Sequence, residues 1–133
     1  MRTPLTNGTH HIGLTVSKLE ESAAFFTDFL GWKELKRNED YPSIFVSDGQ
    51  IMITLCAIKE TPEVTFNRRA NIGLHHLALQ VSSEEALEHI YQRLTENKID
   101  IEFSPEFVGS GPAKHMMCFD PSGIRMEFFW SGQ

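Results

Sequence analysis

The chain has 133 residues, of which 41% are hydrophobic and 23% charged, and a formal net charge of -6. This length allows one domain with a buried core, and the acidic balance argues against nucleic acid or an anionic membrane as the partner. Two cysteines in apolar runs, no transmembrane stretch and no signal-peptide pattern predict a cytoplasmic protein with two buried thiols, Cys56 and Cys118.

The first half of the chain predicts a β-α-β-β-β unit. The alternating run H-I-G-L-T-V, which begins at His11, is typical of a strand. The spacing of Ser17 and Glu20 predicts a capping box before a helix over about 19–30, which Gly31 would end. Three further strands are expected in W-K-E-L, S-I-F-V and Q-I-M-I-T-L-C-A-I.

The second half predicts the same order. H-L-A-L-Q-V reads as a strand, Ser82 and Glu85 as a second capping box, and 84–96 as an amphipathic helix. The strands D-I-E-F, H-M-M-C-F and I-R-M-E-F-F-W follow. We therefore predict one domain over 1–133, with a first module over about 8–58, a linker over about 59–71 and a second module over about 72–131.

The two modules also share residues at an offset of 65 positions. Six of the eleven positions in 10–20 are identical to their counterparts: His10/His75, His11/His76, Leu14/Leu79, Val16/Val81, Ser17/Ser82 and Glu20/Glu85. This similarity indicates two related units in tandem, too few for a solenoid. It also places an H-H doublet at the start of each module.

Strand alternation assigns the two histidines of each doublet to different faces. His11 and His76 share a face with small or polar residues, whereas His10 and His75 share the aliphatic face. We expect His10 and His75 to be partly buried, hydrogen-bonded residues at strand starts. Glu127 is a carboxylate in an apolar last strand, where a charge is costly unless it is paired or bound to metal. Two histidines and one carboxylate are a known ligand set for a divalent metal, although each residue alone is more often structural.

Several segments resemble a known superfamily. H-H-I-G-L-T-V-S-K-L-E-E-S-A-A-F-F-T-D-F-L-G-W is similar to the first module of the vicinal-oxygen-chelate superfamily, which includes glyoxalases, bleomycin resistance proteins and extradiol dioxygenases. H-L-A-L-Q-V and D-P-S-G-I-R-M-E resemble its second-module signatures. The resemblance implies an α+β fold in which two tandem βαβββ modules form curved mixed sheets around a metal-binding cleft.

The resemblance also implies a ligand set. In the glyoxalase and fosfomycin-resistance branches, the metal ligands fall at positions that match His11, His76 and Glu127. The metal would be a divalent ion of Mn, Fe, Ni, Co or Zn. Members often exchange modules in a homodimer, so we expect His11 from one chain and His76 with Glu127 from the other. One departure is that Thr54 lies where glyoxalase I carries an additional Glu.

Further residues are candidates for substrate chemistry. His115 is a candidate general base, with a surface strand-end histidine as the alternative. Thr54, Lys114, Arg125 and Phe129 are candidate substrate contacts. The loop before Lys114 reads as an anion cradle, a lid or a plain hairpin connection. Arg68 and Arg69 are candidates for binding an acidic substrate, with solvated charge as the alternative. Phe103, Phe107 and Met117 are candidates for lining an apolar pocket, with core packing as the alternative.

From these features we expect a metal-dependent glyoxalase-like enzyme, a lyase or isomerase, that acts on a small molecule with vicinal oxygens. One alternative is a fosfomycin-type thiol or water transferase, and another is a small ring-cleaving dioxygenase. A third is a non-catalytic protein of the bleomycin-resistance type that binds a small molecule.

Overall fold

A computed structural model describes residues 2–133 and confirms the α+β fold with two βαβββ modules. The chain forms two compact units, the first ending at Ile58 and the second beginning at Lys59. The elements are β1 (His11–Val16), α1 (Leu19–Ala24), a π-helical turn (Phe25–Phe29), β2 (Lys33–Asn38), β3 (Ser43–Ser47), β4 (Met52–Ala57), β5 (Leu77–Gln80), α2 (Glu84–Glu96), β6 (Asp100–Phe107), β7 (Lys114–Phe119) and β8 (Arg125–Trp130). Among the described residues, no helix is long and apolar enough to cross a membrane.

The first unit has a four-stranded sheet in the order β1-β4-β3-β2, in which β1 runs parallel to β4 and the other pairs are antiparallel. Strand alternation holds in β1, since Leu14 and Val16 are buried and His11 and Thr15 are exposed. The buried side chains of the strands and of the first helix form the core of this unit. The opposite face of the sheet carries the small and polar residues predicted for it.

The first helix keeps its predicted length but changes its geometry near the end. The segment is α-helical to Ala24 and π-helical from Phe25 to Phe29, with Leu30 as the C-cap. Phe25 and Phe26 are adjacent in sequence, yet both are at most 1% exposed. We attribute the wider turn to the burial of these two neighbouring rings. Gly31 follows with a φ of +77°, as expected of a glycine that ends a helix.

The second unit repeats this topology in the order β5-β8-β7-β6, with β5 parallel to β8. The helix α2 matches the predicted bounds and buries Leu87 and Leu94. Cys118 is fully buried, and burial raises the pKa of its thiol to about 12. Cys56 is only half-buried, so the prediction of two buried thiols is correct for one of them.

The predicted capping boxes are wrong in detail. The N-cap of α1 is Lys18, whose ammonium has no acceptor for helix amides. The N-cap of α2 is Ser83, one residue after the predicted Ser82, and its hydroxyl accepts a bond from the amide of Ala86 at 3.0 Å. The shift arises because Ser83 has the extended backbone, with a φ of -154° and a ψ of 163°, that an N-cap requires.

The two adjacent serines provide a test of this cap. We expect Ser83→Ala to lower the free energy of unfolding by about 1 kcal/mol, since one amide of the first turn loses its acceptor. Ser82→Ala should change it by less than about 0.5 kcal/mol, because Ser82 is exposed and outside the cap. Urea unfolding followed by circular dichroism measures both. Equal effects would contradict the assignment.

Candidate functional site

The candidate site lies on the face of the second sheet that carries Glu127. This carboxylate is 8% exposed, although it lies between Met126 and Phe128 in an apolar strand. Its partners across the sheet are Ala78 in β5 and Met117 in β7. His76 precedes Ala78 by two residues and His115 precedes Met117 by two, so register places both diagonally next to Glu127 on one face.

Both imidazoles contact this carboxylate, one on each oxygen. His76 Nε2 lies 3.2 Å from Glu127 Oε1, and His115 Nδ1 lies 2.5 Å from Oε2. An ionised carboxylate only accepts hydrogen bonds, so Nδ1 of His115 is the donor in the shorter contact. The rings of Phe103 and Phe129 flank His115, with centroids 5.0 and 6.2 Å from the imidazole. One carboxylate oxygen is therefore paired with His115, and the group is largely shielded from water.

The distance between His76 Nε2 and Glu127 Oε1 fits a divalent cation. Two ligand atoms that each lie about 2.1 Å from one ion and subtend about 100° are about 3.2 Å apart. The observed separation is 3.2 Å. Across residues 2–133, however, no group of three or more His, Cys, Asp or Glu side chains is arranged to hold a metal ion. The second unit therefore brings together two atoms at a spacing compatible with a shared cation, and no third such side chain joins them within residues 2–133.

The two H-H doublets have the same internal geometry. His10 Nδ1 lies 2.9 Å from His11 Nδ1, and His75 Nδ1 lies 2.8 Å from His76 Nδ1. The prediction that His10 and His75 are hydrogen-bonded is therefore confirmed. The prediction that they are partly buried is wrong, because both are exposed. Both residues precede the first strand residue of their module, where the pleat no longer fixes the side-chain direction.

Arg125 shares the site face but is engaged by other groups. Its guanidinium makes a bidentate pair with Glu102, at 2.8 and 2.9 Å, and its Nη1 lies 3.4 Å from His75 Nδ1. The bonds from Arg125 lower the pKa of Glu102, and the charges of Arg68 and Arg69 contribute to the same shift. The pKa of His75 is lowered by desolvation first and by Arg125 next. The predicted cationic residues of the linker thus act on the electrostatics of this face.

The depressed pKa of Glu102 predicts how stability depends on pH. The ionised form is favoured in the folded state, so its contribution is present above the ordinary Glu pKa of about 4.3 and is lost as pH falls below it. We expect the urea midpoint of Glu102→Gln to lie below that of the wild type at pH 7, and the difference to shrink as pH falls below about 4.3 toward the lowered pKa of Glu102. A difference that stays constant from pH 7 down through this range would contradict the shift.

The first unit has no carboxylate at the position that corresponds to Glu127. Gly13, the counterpart of Ala78, pairs with Thr54, whereas Ala78 pairs with Glu127. Thr54 is therefore the register equivalent of Glu127. His11 shares its face with Thr54 two residue pairs along β1 and β4. In this unit His11 is thus the metal-ligand candidate, and Thr54 is a small neighbour in place of a carboxylate.

Lys114 is not brought together with the other candidates. It alternates with His115 in β7, so it points to the helix side of the sheet. There its Nζ lies 2.8 Å from Glu84 Oε2 at the start of α2 and 4.7 Å from the centroid of the Phe107 ring. Phe129 and Met117, by contrast, lie on the site face, and Met117 is 5% exposed.

Three neighbours of the site were not among the predicted site residues. Glu106 Oε1 lies 4.0 Å from His115 Nε2, Glu102 holds Arg125, and His75 contacts His76. Alternation along β6 from Asp100 places Glu102 and Glu106 on the site face, and the register shifts bring Phe103 onto the same face, opposite Met117. Pro105 within this edge strand is a sequence signal of such an irregularity, but it does not indicate which side chain changes face.

Comparison with known proteins places these features in a family. Residues 8–128 match the Glyoxalase/Bleomycin resistance protein/Dioxygenase superfamily. A glyoxylase/bleomycin resistance protein/dioxygenase domain from Frankia sp. EAN1pec superposes with a TM-score of 0.80 at 25% identity, covering 95% of this chain and 93% of that one.

Two curated enzymes are also similar in sequence. The trivalent organoarsenical cleaving enzyme of Bacillus sp. (strain MD1) is 28% identical over 123 residues, which are 91% of this chain and 71% of that protein. Catechol-2,3-dioxygenase of Bacillus subtilis (strain 168) is also 28% identical over 123 residues, but the match covers 90% of this chain and 41% of the dioxygenase. The chain therefore spans less than half of the dioxygenase. By the match over 8–128 and the paired βαβββ modules, the chain belongs to the glyoxalase/bleomycin resistance protein/dioxygenase superfamily.

Proposed function

We propose that this protein is a metal-dependent, glyoxalase-like enzyme that acts on a small molecule with vicinal oxygens. The observation that carries the proposal is the pair of facing atoms His76 Nε2 and Glu127 Oε1, which lie 3.2 Å apart. Glu127 itself is only 8% exposed. A buried carboxylate is costly unless a partner compensates for its charge. A divalent ion held by both side chains is such a partner.

The proposed ligand set is His11, His76 and Glu127. His76 and Glu127 come from one chain, and we propose that His11 comes from a second copy in a homodimer with shared sites. When bound, a divalent metal supplies Lewis-acid chemistry, polarising the oxygens of a bound substrate. Imidazole and carboxylate ligands suit Mn, Fe, Co, Ni and Zn.

His115 is the proposed base, acting through Nε2. Its Nδ1 donates to Glu127, which fixes the ring and leaves the lone pair of the neutral imidazole on Nε2. The side chain remains 19% exposed, enough for Nε2 to meet a substrate, and Glu106 lies nearby at 4.0 Å. The arrangement resembles other carboxylate–imidazole pairs in which the carboxylate orients the base.

The walls of the site indicate the shape of a substrate. The rings of Phe103 and Phe129 beside His115 favour an apolar portion next to the reacting carbon. Arg125 would have to leave Glu102 to contact a polar group of a substrate. We therefore propose that it orients the neighbouring side chains Glu102 and His75. Thr54 is a small neighbour of His11 and leaves more space for a substrate than a glutamate at the same position would.

Metal content tests the proposal directly. Protein purified without added metal, then titrated with Mn, Fe(II), Co, Ni or Zn, should bind about one equivalent per chain. His76→Ala should lose this binding, whereas His89→Ala, which changes an exposed histidine of α2, should retain it. Uptake below about 0.2 equivalents by the wild type, with affinity for small ligands unaffected by His76→Ala, would favour the non-catalytic binding protein.

A ring-cleaving dioxygenase is the second candidate function. It is supported by the similarity to the Bacillus subtilis catechol-2,3-dioxygenase and by Thr54, since the position equivalent to Glu127 in the first unit has no carboxylate. Oxygen consumption with a catechol by the Fe(II)-loaded protein would favour the dioxygenase. Opening of an epoxide by a thiol or water, without oxygen uptake, would favour a fosfomycin-type transferase. Isomerisation of a thiol adduct would favour the glyoxalase-like reaction.

A further inference from the structure

The repeated H-H doublet has a feature that the proposed ligand set leaves unexplained. In both units the first histidine contacts Nδ1 of the second through its own Nδ1, at 2.9 and 2.8 Å. One of the two nitrogens has to donate and the other has to accept, so each contact selects a tautomer. The second residues of the doublets, His11 and His76, are the proposed metal ligands.

The direction of the hydrogen bond can be deduced for the second doublet. The guanidinium of Arg125 only donates, and its Nη1 lies 3.4 Å from His75 Nδ1. Nδ1 of His75 is therefore an acceptor, and Nδ1 of His76 is the donor in the 2.8 Å contact. A neutral imidazole with its proton on Nδ1 has its lone pair on Nε2.

This tautomer points the lone pair of His76 at Glu127. Nε2 of His76 and Oε1 of Glu127 are then two acceptors that face each other at 3.2 Å. Such an arrangement is repulsive alone and becomes favourable when a cation lies between the two atoms. Glu102 holds the guanidinium of Arg125 in place with bonds of 2.8 and 2.9 Å. The contacts from Arg125 to His75 and from His75 to His76 then leave Nε2 of His76 free to bind a cation.

We propose that His75 is a positioning residue that fixes the Nδ1–H tautomer of His76, and thereby makes Nε2 the ligating atom. The inference rests on the proposed metal site and assigns a role to the first histidine of the doublet. The 2.9 Å contact between His10 and His11 places a histidine in the corresponding position of the first unit. Partners of this kind orient ligand histidines and change metal affinity about ten- to a hundred-fold.

Nitrogen-15 NMR of the metal-free protein at about pH 8, above the ordinary histidine pKa of about 6.5, reads the tautomer. The wild type should show His76 protonated on Nδ1. His75→Ala should remove this preference, and His75→Asn should restore it, because the amide oxygen of Asn can accept the same bond. His89→Ala, in α2, is the matched control and should leave the His76 signals unchanged.

Metal affinity gives the second readout. Zn(II) titration of the same variants should show binding weakened about ten- to a hundred-fold in His75→Ala and close to wild type in His75→Asn. Unchanged His76 signals and unchanged affinity in His75→Ala would overturn the inference. If the wild type binds no metal, the proposed function fails, while the NMR comparison alone decides whether His75 sets the tautomer of His76.

Discussion

Glu127→Gln should greatly weaken divalent-metal binding and leave the fold intact. The substitution keeps the shape of the side chain but removes the charge that faces His76 Nε2 at 3.2 Å. We expect affinity to fall by at least about a hundred-fold, because loss of a ligand exceeds the effect of an outer-shell partner. The free energy of unfolding should change by only about 1 kcal/mol, since Gln retains an acceptor oxygen for one imidazole. Calorimetric titration and urea unfolding measure the two quantities.

A matched control uses another carboxylate of the same unit. Glu84→Gln removes the partner of Lys114 on the helix side of the sheet, away from the face that carries Glu127. Its metal affinity should equal that of the wild type. If Glu127→Gln bound metal as tightly as Glu84→Gln, Glu127 would not be a ligand, and the pairing with His76 and His115 would be a purely structural network.

The repeat and strand alternation predict the fold of both units and the faces on which the strand side chains lie. Both signals are periodic, and the sheet converts a period of two into two faces. Glu127 and His115 lie on one face of the sheet, and the same rule, applied to neighbouring Lys114, places that residue on the other. The helix bounds 84–96 were also predictable, because a polar cap and an apolar stripe mark them.

The features that the sequence left open depend on backbone geometry outside the regular elements. His10 and His75 precede their strands, so alternation did not determine that each would turn toward the next imidazole. The choice of Ser83 over Ser82 depends on one extended residue, and both serines satisfy the sequence rule for a cap. The register shifts of β6 that turn Phe103 toward His115 arise in an edge strand interrupted by Pro105.

Phe128→Ala should be the most destabilising of these substitutions, because Phe128 is 1% exposed on the core side of β8. Removal of a buried ring leaves a cavity and costs about 3–5 kcal/mol. Phe129, the next residue, is half-buried on the site face beside His115, so Phe129→Ala should cost about 1 kcal/mol and instead weaken the binding of an apolar ligand. Urea unfolding compares the two, with Phe128→Leu as the milder substitution if Phe128→Ala does not fold. Similar losses from Phe128→Ala and Phe129→Ala would mean that β8 does not divide its side chains between a core and a site.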